Sequence, residues 1–268
     1  MEMLMNQSLT IDQDATANSA KSNANNLTPS PYDALFSSVI GQDYYLLKQI
    51  SPFAAEMSRL VGESVAKFCT NRSVPVSVVE LGGGTGITSL SILSADQQLT
   101  LLSIDNEPTM QNQAKQSLQQ WVDEGRLNFS GQDALSALQS LTNNSIDVIA
   151  SAYTLHNFEA SYRKQVLAEI FRVLKPSGQF INGDRYALDD VNAHTRSTQN
   201  EVAGYFKVLT ELNRLDVLEH WIIHLFSDES ENHIMRTAMA LQQLSEVGFK
   251  QINLSHRLEV NALVIAAK

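Results

Sequence analysis

The residues whose types and spacing could do chemistry begin at Glu80, where an apolar run, Val78-Val79, leads through Leu81 into Gly82-Gly83-Gly84-Thr85-Gly86 and then a helical stretch. Glycine allows a sharp backbone turn and lets a ligand approach without meeting a Cβ. A strand, glycine turn and helix could hold a dinucleotide, but the G-x-G-x-x-G register fails, because its third glycine falls on Ile87 or Ser89. A phosphate P-loop fails too, since no Lys-Ser/Thr pair follows the glycines. What fits is Glu-x-Gly-x-Gly-x-Gly at 80, 82, 84 and 86.

Two further carboxylates fall at the ends of the next two apolar runs, Asp105 nineteen residues after Gly86, then Asp133. A carboxylate at the second strand tip can accept from both hydroxyls of a ribose, and one at the third can accept from an adenine amino group. The resulting acidic rim disfavours a pyrophosphate and suits a cationic ligand. A second group of reactive types, Ser151 to Phe158, contains Tyr153 and His156 and follows the fourth apolar run; Asp184-Arg185 follows the fifth. His220, His224 and Asp228 stand at i, i+4, i+8, a spacing that could bind a metal. Their charged neighbours favour a solvated helix face, and no metal is assigned.

The elements that must position these groups follow from the hydrophobic pattern. Residues 74–81, 99–105, 127–133 and 146–153 read as strands, the first of them continuous in the manner of a strand buried on both faces. Between them, Met110, Ala114, Leu118, Trp121 and Val122 share one helical face, and Val166, Leu167, Ile170, Phe171 and Leu174 share another. Lys175-Pro176-Ser177-Gly178 stops the second helix ahead of a fifth strand. Alternation of this kind predicts a parallel sheet with helices on both faces. After Gly248 two strands follow with no room for a crossover helix, so they pair antiparallel. The expected fold class is α/β, a Rossmann-like, seven-stranded, mostly parallel sheet ending in an antiparallel hairpin.

Residues 1–30 contain fourteen Asn, Gln, Ser or Thr and no aromatic residue, and read as a disordered tail. Residues 31–72 read as an N-terminal helical cap, with Leu60, Val61, Val65 and Phe68 at helical spacing, and 73–268 as the sheet domain. An insertion at about 184–231 reads as a helical lid, in which Leu215, Leu218, Ile222 and Leu225 form an apolar stripe. With 19 basic against 29 acidic residues, the net charge is −10, which speaks against a nucleic-acid partner or an anionic membrane surface. The single cysteine, Cys69, cannot form an internal disulfide, and with no signal-like segment the chain reads as cytoplasmic. Its state as monomer or homodimer stays open.

Together, the segments ELGGGTG, IDNEPTM, GQDAL and EIFRVLKPSGQF make the chain resemble the class I S-adenosylmethionine-dependent methyltransferases over roughly 74–268. The resemblance implies S-adenosylmethionine as cofactor and a small-molecule acceptor. It implies that Gly82, Gly83 and Gly84 hold the methionine moiety and that Glu80 places its ammonium, directly or through water. It further assigns Asp105 to the ribose, Asn106 to the adenine face, and Asp133 with Ala134 to the adenine amino edge; Tyr44 and Ser151 join the cofactor set. Tyr153 and His156 are the candidates for the reacting side. Methyl transfer from a sulfonium is a direct displacement, so alignment matters most and a base is needed only if the acceptor must lose a proton. A more distant likeness is to carboxy-S-adenosylmethionine synthase; its inserted arginine has no counterpart in EHWIIHLF, and GGGTG replaces its Cys-Ser pair. Both departures favour an ordinary methyltransferase, and a noncatalytic fold relative is the remaining alternative.

Overall fold

The computed structural model describes residues 52–70, 72 and 74–268; the tail expected over 1–30, residues 31–51 and therefore Tyr44 lie outside the described residues. Seven strands form one sheet: β1 (Ser77–Leu81), β2 (Thr100–Ile104), β3 (Leu127–Ser130), β4 (Ile146–Ala152), β5 (Leu174–Arg185), β6 (Lys250–Leu258) and β7 (Asn261–Ala267). Their order across the sheet is β3-β2-β1-β4-β5-β7-β6. The first five pair in parallel, and β7 runs antiparallel to both β5 and β6. The mostly parallel sheet and terminal hairpin expected from the strand pattern are both present. Strand order reverses between β1 and β4, so a crevice opens at their carboxyl ends, where sheets of this kind bind ligands.

Both faces of the sheet are covered. On one side lie α1 (Pro52–Cys69) and α2 (Ile87–Leu93), whose Leu60, Val61, Val65, Leu90 and Ile92 are buried together with Val78, Val148 and Ile181 of the strands. On the other lie α5 (Ala134–Ser140), α6 (Ala160–Val173) and α9 (Thr237–Val247), packing Leu138, Val166, Ile170 and Leu244 on Val79, Ile149 and Phe180. Helix α1 sits so close to α2 that a Cβ on Gly62 would stand 2.0 Å from Ser91 Oγ. Its residues 52–69 therefore cover one face of the sheet.

Two other local expectations are corrected. The helical face drawn from Met110 to Val122 is divided at Leu118 into α3 (Pro108–Ser117) and α4 (Gln119–Asp123), and Met110 is 47% exposed. The apolar stripe on α8 (Leu215–Asp228) does not begin at Leu215, which is 59% exposed; Leu218, Leu225 and Asp228 are its buried residues, with Ile222 packed partly buried beside them. Helices α7 (Val191–Glu211) and α8 pack on each other through Tyr205, Leu209, Leu218 and Leu225 and form a small core of their own. They stand over the carboxyl end of the sheet, with α8 against the turn Leu155–Asn157. Among the described residues, no helix is long and apolar enough to cross a membrane.

Candidate active site

The turn after β1 is built by three left-handed glycines, Gly82, Gly84 and Gly86. The glycines at 82, 83 and 84 lack side chains for different reasons. A Cβ on Gly82 would lie 2.0 Å from Thr154 Oγ1, because the turns after β1 and β4 touch at that point. Gly83 is buried, and its Cβ would lie 2.0 Å from Ser103 Oγ. Gly84 has nothing within 4 Å on that side, so its open face looks onto a cleft of about 640 Å³.

That cleft is bordered by Gly82 and Gly84 from the first turn, Asp105 and Asn106 from the second, and Asp133 and Ala134 from the third. Tyr153 and Thr154 border it from the turn after β4, and His220, Trp221 and His224 reach it from α8. Asp105 is bound to the loop it faces: its Oδ2 accepts from Gly84 N at 2.7 Å and its Oδ1 from Glu107 N at 2.8 Å. Asp133 caps α5 by accepting from Ser136 N at 3.0 Å, and the same oxygen accepts from Tyr162 OH at 2.8 Å. Hydrogen bonds from Ser136 and Tyr162 hold its carboxyl down at about 2.

Glu80 and Ser151 do not border the cleft. Glu80 is fully buried beneath the glycine turn, with Oε2 accepting from Ser89 Oγ at 2.5 Å and Ser103 Oγ at 2.8 Å. Its Oε1 has no hydrogen-bond partner. Burial raises its pKa to about 7, against the two hydroxyls that lower it. Ser151 is likewise fully buried and its Oγ is unpartnered. Every residue of β4 is buried, so the sequence carried no alternation from which to tell where Ser151 points.

A second cavity, of about 160 Å³, adjoins the first and shares Tyr153, Asn157, Trp221 and His224 with it. Tyr153 has a positive φ of 51° and stands in the wall between the two. Its hydroxyl donates to Asn261 Oδ1, and burial raises its pKa well above the usual phenol value. His156 is buried at the other side of this cavity. Its Nδ1 lies 2.6 Å from Asp184 Oδ1, while Asp184 also accepts from the backbone amides of Leu155 and Arg185. Burial alone would raise the Asp184 pKa, but the His156 imidazole and these donors bring it below the ordinary value. An ionised carboxylate can only accept, so Nδ1 carries the proton and Nε2 faces the cavity.

Arg185 closes the floor. It forms a two-pronged pair with Glu201 at 2.7 and 3.1 Å, reaches Glu229 at 3.3 Å, and has its Nε 3.8 Å from Asp228 Oδ2. Asp228 lies 3.7 Å from the Nε2 atoms of both His156 and His224. The face of α8 read as solvated is thus turned inward at His224 and Asp228, while His220 is exposed. Burial lowers the His224 pKa.

Two residues of the site are given no role by the motif reading. Thr154 donates to the carbonyls of Leu81 and Ala152, at 3.1 Å in each case, and locks the first and fourth turns together. Arg163, in α6, is buried and its Nη1 donates to the carbonyls of Leu155, Phe158 and His233. Its spacing of three and four residues from Val166 and Leu167, on the buried helix face, is the signal that could have found it.

Residues 78–178 match a protein-family model described as a methyltransferase domain. Demethylmenaquinone methyltransferase of Leptospira interrogans is 32% identical over 114 residues, 42% of this chain and 45% of that protein. The mitochondrial 2-methoxy-6-polyprenyl-1,4-benzoquinol methylase of Schizosaccharomyces pombe is 30% identical over 118 residues, 41% of this chain and 38% of that protein. The matches therefore span under half the length of these curated relatives. Among solved structures, an O-methyltransferase family protein from Burkholderia thailandensis superposes with a TM-score of 0.59 at 19% identity, covering 88% of this chain and 59% of that one. A putative S-adenosylmethionine-dependent methyltransferase from Methanococcus maripaludis gives 0.56 at 14% identity, covering 87% and 94%. At such identities the structural likeness establishes the fold.

Proposed function

From the match of residues 78–178 to a methyltransferase domain, we propose that the protein transfers a methyl group from S-adenosylmethionine to a small organic acceptor. The observation that carries this reading is the adjoining pair of cavities, one rimmed by the glycine turn with Asp105 and Asp133, the other lined by aromatic residues and His156.

The first cleft suits the donor. Gly84 offers an open face where a ligand can approach the backbone, and Asp105 and Asp133 offer acceptors for the ribose and for the adenine amino group. Behind the turn, the unpartnered Oε1 of Glu80 supplies a buried acceptor suited to an ammonium group, reached directly or through a water. When bound, the donor supplies a methyl group already activated by a positively charged sulfur. The protein's own residues then have to align the acceptor and exclude water.

The second cavity suits the acceptor. A volume of about 160 Å³ matches a single aromatic ring, since an apolar cavity of about 150 Å³ takes up benzene. Tyr153, Tyr205, Trp221 and Leu225 supply flat and apolar walls, while His156, held in orientation by Asp184, and His224, Arg185, Glu201 and Asp228 supply the polar side. Tyr153 borders both cavities; its phenol keeps its proton and donates to Asn261. The quinone and quinol in the names of the two relatives support a ring of that kind as the acceptor group.

Calorimetry with S-adenosylmethionine and S-adenosylhomocysteine tests the donor half, and saturable binding of both is expected. No heat at millimolar ligand would end the proposal. Transfer of a labelled methyl group to small molecules of a cell extract tests the acceptor half, and methylation of a phenol or quinol is the expected outcome.

A further inference from the structure

We propose that His156, His224 and Asp228 form a binding site for one divalent transition-metal ion at the boundary between the two cavities. Each residue offers one ligand atom, and the three atoms all lie within 4.8 Å of one another. Both imidazole Nε2 atoms stand 3.7 Å from an oxygen of Asp228. A tetrahedral centre with bonds of about 2.0–2.1 Å spaces its ligand atoms by about 3.4 Å. The two 3.7 Å distances run to different oxygens, Oδ2 for His156 and Oδ1 for His224, and the three ligand atoms span up to 4.8 Å, so a filled site requires the set to contract. His224, on a half-exposed side chain, has the freedom to close the remaining gap.

The groups behind the triad are those a metal site needs. A ligating histidine almost always donates its other ring N–H to a carboxylate or carbonyl, which fixes the tautomer and turns the free nitrogen toward the metal. Asp184 does this for His156, at 2.6 Å. Asp184 is itself held by the amides of Leu155 and Arg185 and by the Asn182 side chain, so the ring has one orientation. Carboxylates also crowd the triad. Glu201, Asp228 and Glu229 surround the Arg185 guanidinium, while Asp184 pairs with His156 and Glu229 also with His194 Nε2 at 2.5 Å. Arg185 Nε, 3.8 Å from Asp228, is the competing cation, and its two-pronged pair with Glu201 holds it back from the ligand oxygens.

Two imidazoles and a carboxylate favour Zn²⁺, Fe²⁺ or Co²⁺ over Mg²⁺ or Ca²⁺, which prefer all-oxygen shells. Three protein ligands leave at least one position open, the arrangement of catalytic rather than structural sites. That position faces the cavity lined by His156, His224 and Asp228. Metal binding stands independently of the methyl-transfer reading; its use rests on that reading. An acceptor hydroxyl bound at the open position would lose its proton to solvent more readily, as metal-bound water does. His156 would then act as a ligand, and no free base would be required.

The test is titration of chelator-treated protein with Co²⁺, followed by visible absorption, with a parallel calorimetric titration of Zn²⁺. One equivalent with d–d bands of a low-coordinate site is expected. His224→Ala and the near-isosteric Asp228→Asn should both abolish the bands, and Asp184→Asn should weaken binding about 10- to 100-fold. His220→Ala, altering the exposed histidine one turn along α8, should leave the bands in place. Absence of saturable Co²⁺ and Zn²⁺ binding by the wild type would overturn the proposal, as would bands that survive both ligand substitutions or that vanish with His220. S-adenosylmethionine binding is measured on the same samples. It reports on folding, and its loss with Co²⁺ bands retained would strike the methyl-transfer reading and leave the metal site standing.

Discussion

Asp105 accepts a hydrogen bond of 2.7 Å from the amide of Gly84, so the tip of the second strand holds the turn that follows the first. The carboxylate proposed to receive the ribose is therefore already part of the framework of the donor cleft. Asp105→Ala removes both roles, whereas Asp105→Asn keeps an oxygen for the Gly84 amide and loses the charge. Two charge-assisted bonds to a ribose at about 1.5 kcal/mol each amount to roughly two decades in affinity. Calorimetry should accordingly find S-adenosylmethionine binding about 100-fold weaker in Asp105→Ala, and the Asn variant should fall between it and the wild type.

Gly82 and Gly84 should respond oppositely to alanine. At Gly82 the new Cβ meets Thr154 at 2.0 Å, on a residue with φ of +71°. Left-handed strain of roughly 1–2 kcal/mol and overpacking of roughly 1–3 kcal/mol then add, and Gly82→Ala should lower stability by about 3 kcal/mol. At Gly84 the Cβ meets nothing within 4 Å, so only the strain is felt and the protein folds. Donor binding should nevertheless be lost, because the methyl group projects into the cleft. Urea denaturation and calorimetry on both variants check this; a Gly84→Ala protein that binds the donor normally contradicts the assignment of the cleft.

Glu80 makes stability depend on pH in a direction opposite to that of a salt-bridged carboxylate. Its folded pKa of about 7 lies above an unfolded value near 4.5, so the native state holds more protons than the unfolded state between those values. Its contribution is fully present below about 4.5 and is lost as pH rises through about 7. Relative to wild type, Glu80→Gln should therefore gain about 3 kcal/mol in stability between pH 4.5 and the range above 7. An ammonium partner favours the ionised carboxylate, so wild-type donor affinity should rise with pH through the same window, while the Gln variant binds weakly and without that rise. Denaturation and binding titrations at pH 5, 6, 7 and 8 are sufficient, and parallel stability curves for the two proteins would refute the idea.

Arg163 tests whether the turn after β4 needs its clamp. Arg163→Met keeps the apolar stem in place and leaves the carbonyls of Leu155, Phe158 and His233 without this donor. Unsatisfied buried groups at about 1–3 kcal/mol each predict a loss of roughly 2–4 kcal/mol, allowing for water at the less buried ones. His156 rides on the clamped turn, so methyl-transfer kcat should fall more than donor affinity does. Equal losses in both would mean that Arg163 acts through general stability alone.

Much of the architecture was legible because it is written in short-range pattern. A continuous apolar run gave away β1 as an interior strand, and the lack of any crossover between β6 and β7 dictated their antiparallel pairing. Asp105 and Asp133 could be placed because a strand tip is a local address: the run ends, the acid follows, and the parallel sheet brings such tips to one edge. Glu80 and Ser151 lie within strands, and a strand buried on both faces has no polar alternation to say which side a given residue takes.

The remainder depends on distances along the chain that no local pattern spans. His156 and Asp184 are 28 residues apart and meet only because β4 and β5 are adjacent in the sheet. The histidine–aspartate spacing on α8 was visible, yet its direction was not, since a helix with both apolar and charged stripes can bury either one. What turns Asp228 inward is the set of partners waiting there, His156 and Arg185, which offset the cost of burying its charge. Sequence by itself determined the sheet, the glycine turn and the acidic rim, because each follows from neighbours along the chain. Tertiary structure alone decided which polar groups share the second cavity, because burying charge depends on partners that only folding supplies.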